Sequence, residues 1–309
     1  MTKKTAAVLG SSGFIGSNLV KALASRGVGV KAFDKYPNGG TFDSGLVREV
    51  TGDFFNQGVL DEVLAGCDVC YHLVSTTLPS DSNHDPHFDA QSNICGSIQL
   101  MDAAVRRGVK KIVFASSGGT VYGPPASVPI VETHPTEPIC SYGIAKLAIE
   151  KYLELYRRLH GLGYCCLRLA NPYGPGQRIN SVQGVVAVFL GRVLNDEPVE
   201  IWGDGLVVRD FVYIGDAVRA LILASDEKIA PSVYNIGSGL GSSLRDILSL
   251  IAKVTGREVK IEYKPARKFD VLSNILDIAK AEKGLGWRPE TALEDGLALT
   301  WAFLTTQSN

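Results

Sequence analysis

The sequence predicts an α/β protein: a doubly wound parallel sheet followed by a smaller C-terminal α/β lobe. Three observations predict it. Short apolar runs alternate with helical patterns over the first two thirds of the chain. Those runs are almost continuously apolar, as strands buried on both faces are. After Pro172 the alternation loosens into shorter units.

The elements follow in order. "TAAVLG" (5–10) reads as a strand, and "IGSNLVKALASRG" (15–27) as an amphipathic helix that stops at Gly27. "GVKAFD" (29–34) is the next strand, a helix covers 56–65, and "DVCYHLVS" (68–75) is a further strand. Residues 88–108 are expected to form one long helix closed by Gly108. "KKIVFASS" (110–117) is a strand, 141–161 a helix and "YCCLRLAN" (164–171) a strand. The expected division is a first domain over 1–171 and a second over 172–309, with segments near 210–237 returning to the first. Units such as "PVEIWG" (198–203) and "SLRDILSLIAKVTG" (243–256) belong to the second.

Composition narrows the function. The chain has 309 residues, 45% hydrophobic and 20% charged, with a formal net charge of −1. That balance gives no electrostatic case for nucleic acid or an anionic membrane. No run approaches the roughly 20 apolar residues that span a bilayer. The N-terminal apolar run meets Gly10 too early for a signal peptide. Six cysteines in a chain of this length are no disulfide framework. Cys67 and Cys70 have CxxC spacing, but no second pair accompanies them, so no metal is expected. Adjacent Cys165 and Cys166 point to opposite faces of a strand. A cytoplasmic protein with reduced thiols is expected.

"GSSGFIG" carries Gly10, Gly13 and Gly16 around Phe14 and Ile15. It follows a strand and opens a helix, the context that turns a glycine triplet into a Rossmann-type dinucleotide site. Glycines let the backbone turn tightly and approach a pyrophosphate, and the helix N-terminus faces the phosphates with free N–H groups. Asp34 ends the second strand. A carboxylate there accepts from both ribose hydroxyls and repels a 2′-phosphate, which favours NAD over NADP. Asp53 follows another short strand, where it either reaches an adenine amino group or lies in an exposed loop.

Tyr142 and Lys146 stand i,i+4 at the start of a helix, one above the other and about 6 Å apart along the axis. A free phenol has a pKa of about 10. Use as a base near neutrality means lowering it by about 3 pH units, roughly 4 kcal/mol. A neighbouring ammonium and a nicotinamide cation both favour the phenolate. Lys146 is also placed to hold a nicotinamide ribose. Ser117 and Thr120, in "FASSGGTVYG", sit at the sheet's C-terminal edge, where a hydroxyl bridges a phenol and a substrate alcohol.

With these motifs the chain resembles the extended short-chain dehydrogenase/reductase family, in its nucleotide-sugar epimerase/dehydratase branch. The resemblance runs nearly end to end, through "GSSGFIG", "GDF", "YHLVS", "NICGS", "SSGGTVYG", "SYGIAK", "RLANPYGPGQ", "IWGDGLVVRDFVYIGDAV", "YNIGSG" and "ARKFDV". It implies Tyr142 as general base and Lys146 as ribose ligand. The third catalytic member falls on Ser117 or Thr120, because Gly118 occupies the ungapped position. It adds Phe54, Leu73, Val74, Ser75 and Asn93 to the cofactor site. It makes the C-terminal lobe a substrate lobe, in which Asn171, Arg209 and Arg267 hold a sugar nucleotide's diphosphate and Asp270 orients Arg267 or contacts the nucleotide. Guanidinium forks suit that task.

The loop before "VYG" sorts the reactions of the branch. Dehydratases resemble one another in an Asp-Glu pair there, and decarboxylases in a Glu; this chain has Gly119-Thr120. The minimal hydride and proton machinery remains, which suffices for NAD-dependent 4-epimerisation of a UDP-hexose through a transient 4-keto sugar. The alternatives are a UDP-uronic acid epimerase, a dehydratase or reductase of nucleotide sugars, or a net alcohol oxidoreductase. Asn274, four residues after Asp270, falls where some galactose epimerases carry a bulky tyrosine, so an N-acetyl group at sugar C2 is expected to fit. The stretch 74–87, with Thr77, is expected to line the sugar pocket; His84 and His87 read as solvated loop residues. A homodimer through helices 88–108 and 141–161 is implied by the resemblance.

Overall fold

The structure, a computed structural model, describes residues 4–36, 42, 44–181, 183–265 and 271–307. Its elements run β1 (Thr5–Leu9), α1 (Phe14–Ser25), β2 (Gly29–Asp34), β3 (Val47–Thr51), α2 (Gln57–Leu64), β4 (Val69–His72), α3 (Pro86–Asp89), a π-helical segment (Ala90–Cys95), α4 (Gly96–Arg107), β5 (Lys111–Ser117), α5 (Ser141–His160) and β6 (Gly163–Leu169). They continue with β7 (Asn171–Tyr173), α6 (Val185–Leu194), β8 (Val199–Trp202), β9 (Val208–Tyr213), α7 (Ile214–Ala224), β10 (Ser232–Ile236), β11 (Gly241–Ser243), α8 (Leu244–Thr255), β12 (Ile261–Lys264), β13 (Ser273–Asn274), α9 (Ala279–Leu285) and α10 (Leu293–Gln307).

Seven strands form the parallel Rossmann-like sheet, in the order β10-β6-β5-β4-β1-β2-β3. β1 lies between β2 and β4, in register from Thr5↔Gly29 and Ala6↔Val69. The strand order reverses there, and in such sheets ligands bind outside the carboxyl ends at that reversal. Both faces are covered. Leu9, Phe33, Leu60, Leu64, Leu100, Ile112 and Phe114 are among the buried side chains of one continuous core. The central strands are largely apolar because neither face meets water, whereas the edge strand β3 exposes Arg48, Glu49 and Thr51.

Two compact units divide the chain. The first comprises 1–123, 135–168 and 218–234, and the second 124–134, 169–217 and 235–309. The return of chain to the first unit is thus shorter than the expected 210–237, and β9 stays in the second. There β11, β9 and β13 form a small sheet with β7 on β9, and β12 pairs with β8. Its own core gathers Phe189, Leu190, Phe211, Ile247, Ile251 and Leu297.

The expected single helix over 88–108 is interrupted by the π-helical turn. Ser92 Oγ donates to the Phe88 carbonyl at 2.6 Å and Ser97 Oγ to the Asn93 carbonyl at 2.6 Å. Such back-bonding competes with the main-chain ladder and loosens it locally. All six cysteines are free. Among the described residues no cluster of His, Cys, Asp and Glu is set to hold a metal, and no helix is long and apolar enough to cross a membrane.

Candidate active site

The site begins at the end of β1. Gly10 has φ +87°, a conformation costly for any residue with a side chain. A Cβ on Gly16 would lie 2.0 Å from the Gly10 carbonyl oxygen, so only glycine lets α1 approach the turn this closely. Gly13 caps α1 without any side-chain hydrogen bond. The first N–H groups of the helix, on Phe14, Ile15 and Gly16, therefore form an uncapped positive end suited to a diphosphate. Asp34 closes the cradle: its Oδ2 accepts the Ser12 N–H at 2.9 Å and its Oδ1 the Tyr36 N–H at 3.3 Å.

Asp53 lies exposed in the turn after β3. It accepts the Phe55 N–H at 2.9 Å and pairs with Lys35 at 3.2 Å; that backbone bond, aided by Lys35, lowers its pKa. Phe54 is buried and stacks on His72, ring centroids 5.6 Å apart. His72 is a residue the sequence did not single out. Its Nε2 lies 2.8 Å from Ser97 Oγ. That hydroxyl already donates to the Asn93 carbonyl, so the His72 Nε2 carries the proton. Burial pushes its pKa down to about 3, and it is a neutral spacer between Phe54 and Phe114.

Beyond β4 the chain turns through half-buried Leu73 and Val74 to exposed Ser75. Asn93 holds this turn: Oδ1 accepts the Thr76 N–H at 3.1 Å, while Nδ2 donates to Thr77 Oγ1 and to Asp89 Oδ1. Thr77, expected on the sugar, gives its hydroxyl proton to Asp89. Asp89 is fully buried and also accepts from Ser141 Oγ at 2.6 Å. It lies one helical turn before Asn93. A carboxylate so placed on an otherwise buried helix face was the available signal.

α5 presents the reactive pair. Lys146 is buried; its Nζ donates to the Ala115 carbonyl at 2.9 Å and lies 5.4 Å from the Tyr142 ring centroid. Burial lowers its pKa to about 8, against the opposing pull of Asp89 and Glu150. The phenol moves the other way. Burial, with smaller contributions from Cys140 and Asp89, raises Tyr142 well above its ordinary value, while a hydrogen bond with Ser75 pulls it back. The expected lowering of the phenol, which takes a nicotinamide cation as well as the Lys146 ammonium, is opposed by this burial.

Gly143 brings this helix start to the turn after β5. A Cβ there would lie 2.8 Å from the Thr120 carbonyl oxygen and 2.9 Å from Pro138. Of the two candidate hydroxyls, Thr120 Oγ1 is buried with no hydrogen-bond partner among the described residues. Ser117 ends β5, half-buried. A buried hydroxyl without a partner is costly unless a ligand supplies one.

In the second unit, Asn171, Arg209 and Asn274 come together on adjacent strands. Asn171 is in register with Phe211, and Asn274 with Arg209. Asn171 Nδ2 donates to the Asp210 carbonyl at 2.8 Å. Arg209 Nη1 donates to the carbonyls of Val208 at 2.9 Å and Val271 at 2.7 Å. Asn274 is buried. Buried Asp210, another residue not foreseen, accepts the N–H groups of Ser238, Gly239 and Leu276 and so ties the small sheet to its flanking loops. Arg267 and Asp270 lie outside the described residues.

Comparison with known proteins agrees with this geometry. The model of the NAD dependent epimerase/dehydratase family matches residues 6–237. A UDP-glucose 4-epimerase of Mycolicibacterium smegmatis is 35% identical over 97% of this chain and 98% of its own. The crystal structure of UDP-glucose 4-epimerase from Thermotoga maritima, solved with UDP-glucose, superposes with a TM-score of 0.94 at 39% identity, covering 99% of this chain and 100% of that one. A UDP-N-acetylglucosamine 4-epimerase from Methanobrevibacter ruminantium, in complex with UDP-N-acetylmuramic acid, gives 0.93 at 28% identity over 99% and 100%. The chain, with its glycine cradle and its Tyr142–Lys146 pair, belongs to the NAD-dependent epimerase/dehydratase family.

Proposed function

We propose that the protein is an NAD-dependent 4-epimerase of UDP-hexoses. The observation that carries the reading is the buried Tyr142–Lys146 pair beside the partnerless Thr120 hydroxyl. That group needs a hydrogen-bonding ligand, and a sugar alcohol is one. The cofactor fits the residues present: a cradle that a Cβ on Gly16 would fill, an uncapped helix end for the diphosphate and Asp34 for a ribose. Bound there, NAD supplies the hydride acceptor and donor for sugar C4, together with a positive charge in its oxidised form.

Tyr142 takes the proton of the C4 hydroxyl and later returns it. Thr120, or Ser117, holds the alcohol oxygen on Tyr142. Lys146 holds the ribose and contributes its charge to the phenolate. Asn171, Arg209 and Arg267 are assigned to the nucleotide diphosphate, and Asp270 to orienting Arg267 or contacting the nucleotide; the diphosphate must stay anchored while the 4-keto sugar turns to present its other face. No Asp or Glu stands at Gly118–Thr120 to remove water or a carboxyl group, which favours epimerisation over the other reactions of the family.

The test is incubation of the purified protein with UDP-glucose and, separately, UDP-N-acetylglucosamine, following C4 configuration by proton NMR. Conversion to the galacto isomers, reduced about 100- to 10,000-fold in Tyr142→Phe, is expected. Turnover of the N-acetyl sugar would support the small Asn274; turnover of the plain hexose alone would remove that assignment. Conversion of neither, with NAD bound, would move the reading to a UDP-uronic acid or to net redox chemistry.

A further inference from the structure

We infer that Asp89 is a positioning residue of this reaction: its buried carboxylate seats the first turn of α5 and supplies a negative potential that acts on both Tyr142 and Lys146. The inference rests on the epimerase reading, since it takes Tyr142 as the acid/base.

The geometry is that of a hub. Asp89 is fully buried and receives three donors from three different places. Thr77 Oγ1 comes from the turn after β4, Asn93 Nδ2 (2.9 Å) from the π-helical segment and Ser141 Oγ (2.6 Å) from the first residue of α5. Local capping of α5 is weak: its N-cap residue, Cys140, offers only a thiol, a poor acceptor, to the Gly143 N–H. The Ser141 N–H goes instead to Asn83 Oδ1 at 2.9 Å. Two side chains from the segment 76–89 thus do the work that a local cap would do. A carboxylate at a helix N-terminus is favoured by the exposed N–H groups and the helix dipole.

Hydrogen bonds alone would make Asp89 a structural residue. The charge balance makes it more. Its three donors are neutral, and among the described residues no Lys or Arg forms an ion pair with it. Its field therefore reaches the two reactive groups one turn apart on α5, where it favours the protonated form of each. The other titratable groups facing them are few. Cys140 faces Tyr142; Glu150 faces Lys146 and is itself held by Arg168; His72, from β4, is neutral. Among the described residues, Asp89 is the one carboxylate that acts on both.

The experiment uses the NAD-loaded protein and two readouts. One is the pH dependence of kcat with a UDP-hexose. The other is the ultraviolet titration of the Tyr142 phenolate, with Tyr142→Phe as the reference. Asp89→Asn keeps the shape and one acceptor oxygen but removes the charge. Its Tyr142 midpoint and its alkaline limb, set by Lys146, are both expected to move down by about 1 pH unit. Ser141→Ala keeps the charge and removes one donor that offsets it, so its Tyr142 midpoint is expected to move up. Opposite shifts support the inference. An unmoved midpoint in Asp89→Asn, with only kcat or thermal stability reduced, overturns it and leaves Asp89 a structural hub. If Asp89→Asn does not fold, an unmoved or lowered midpoint in Ser141→Ala overturns it. Absence of sugar turnover in the parent protein would count against the epimerase reading alone, because the phenolate titration still decides the part played by Asp89.

Discussion

At the scale of single residues, burial decides the chemistry of the reactive pair. Desolvation disfavours charge on either group, so it lifts the phenol and depresses the ammonium. The sign for Lys146 is clear: its pKa falls from 10.5 to about 8, so the ammonium is intact at neutrality and is lost as pH rises through 8. An enzyme that needs this charge on the ribose should lose kcat/KM above about pH 8, and Lys146→Met should lack that limb and be slow at every pH. For Tyr142 the lift leaves a phenol in the cofactor-free protein. Tyrosinate absorbance is expected in the NAD-loaded protein near neutrality; stripping NAD should abolish it at the same pH, and adding NAD should restore it. A tyrosinate signal that survives removal of NAD would show that the fold alone makes the base. The pair itself was legible in the sequence, because i,i+4 spacing at a helix start is a local property. The direction of the phenol's shift was not, because it depends on how deeply residues far apart in sequence bury the ring.

At the scale of elements, the turn between β1 and α1 is the most tightly constrained piece of the site. A methyl group on Gly16 would collide with the Gly10 carbonyl at 2.0 Å, and neither backbone can yield without opening the cradle. Gly16→Ala should cost about 1–3 kcal/mol of stability, in the range of an overpacked core, and weaken NAD binding at least tenfold. Denaturant unfolding and NAD titration measure the two effects, and unchanged NAD affinity would mean that the phosphates sit elsewhere. The glycine spacing between a strand and a helix made this element readable from the sequence. The interruption of the helix over 88–108 was not readable. Its apolar spacing is helical throughout, and the break comes from side chains that turn back onto the backbone, Ser92 to Phe88 and Ser97 to Asn93. The same break leaves Asp89 and Asn93 facing the turn after β4, which is how Thr77 came to be tied to a carboxylate.

At the scale of the whole molecule, the fold class followed from the alternation of buried strands and amphipathic helices, a pattern repeated along most of the first unit. What pins the reactive helix to the sheet could not be read that way. Glu150 extends the row of Tyr142 and Lys146 by one more turn and pairs with Arg168 of β6 through bonds of 3.0 and 2.7 Å. Ser116 of β5 donates to the same carboxylate at 2.6 Å, and the Arg168 guanidinium lies 4.7 Å from the Tyr122 ring centroid. The pair is almost wholly buried, 5% and 3% exposed at the two side chains. Two charges taken this far from water offset each other only while both are present. Arg168→Met should therefore lose about 3–5 kcal/mol, because it strands Glu150 in the core. The double variant Arg168→Met/Glu150→Leu removes both charges and should recover most of that loss, while Ser116 gives up an acceptor worth about 1 kcal/mol. Urea unfolding of the parent, Arg168→Met, Glu150→Leu and the double variant completes the cycle. A double variant no more stable than Arg168→Met would mean that α5 is held by the shape of the pair and not by its charge balance. The reactive helix would then be expected to shift in both variants, with Tyr142 turnover falling in each.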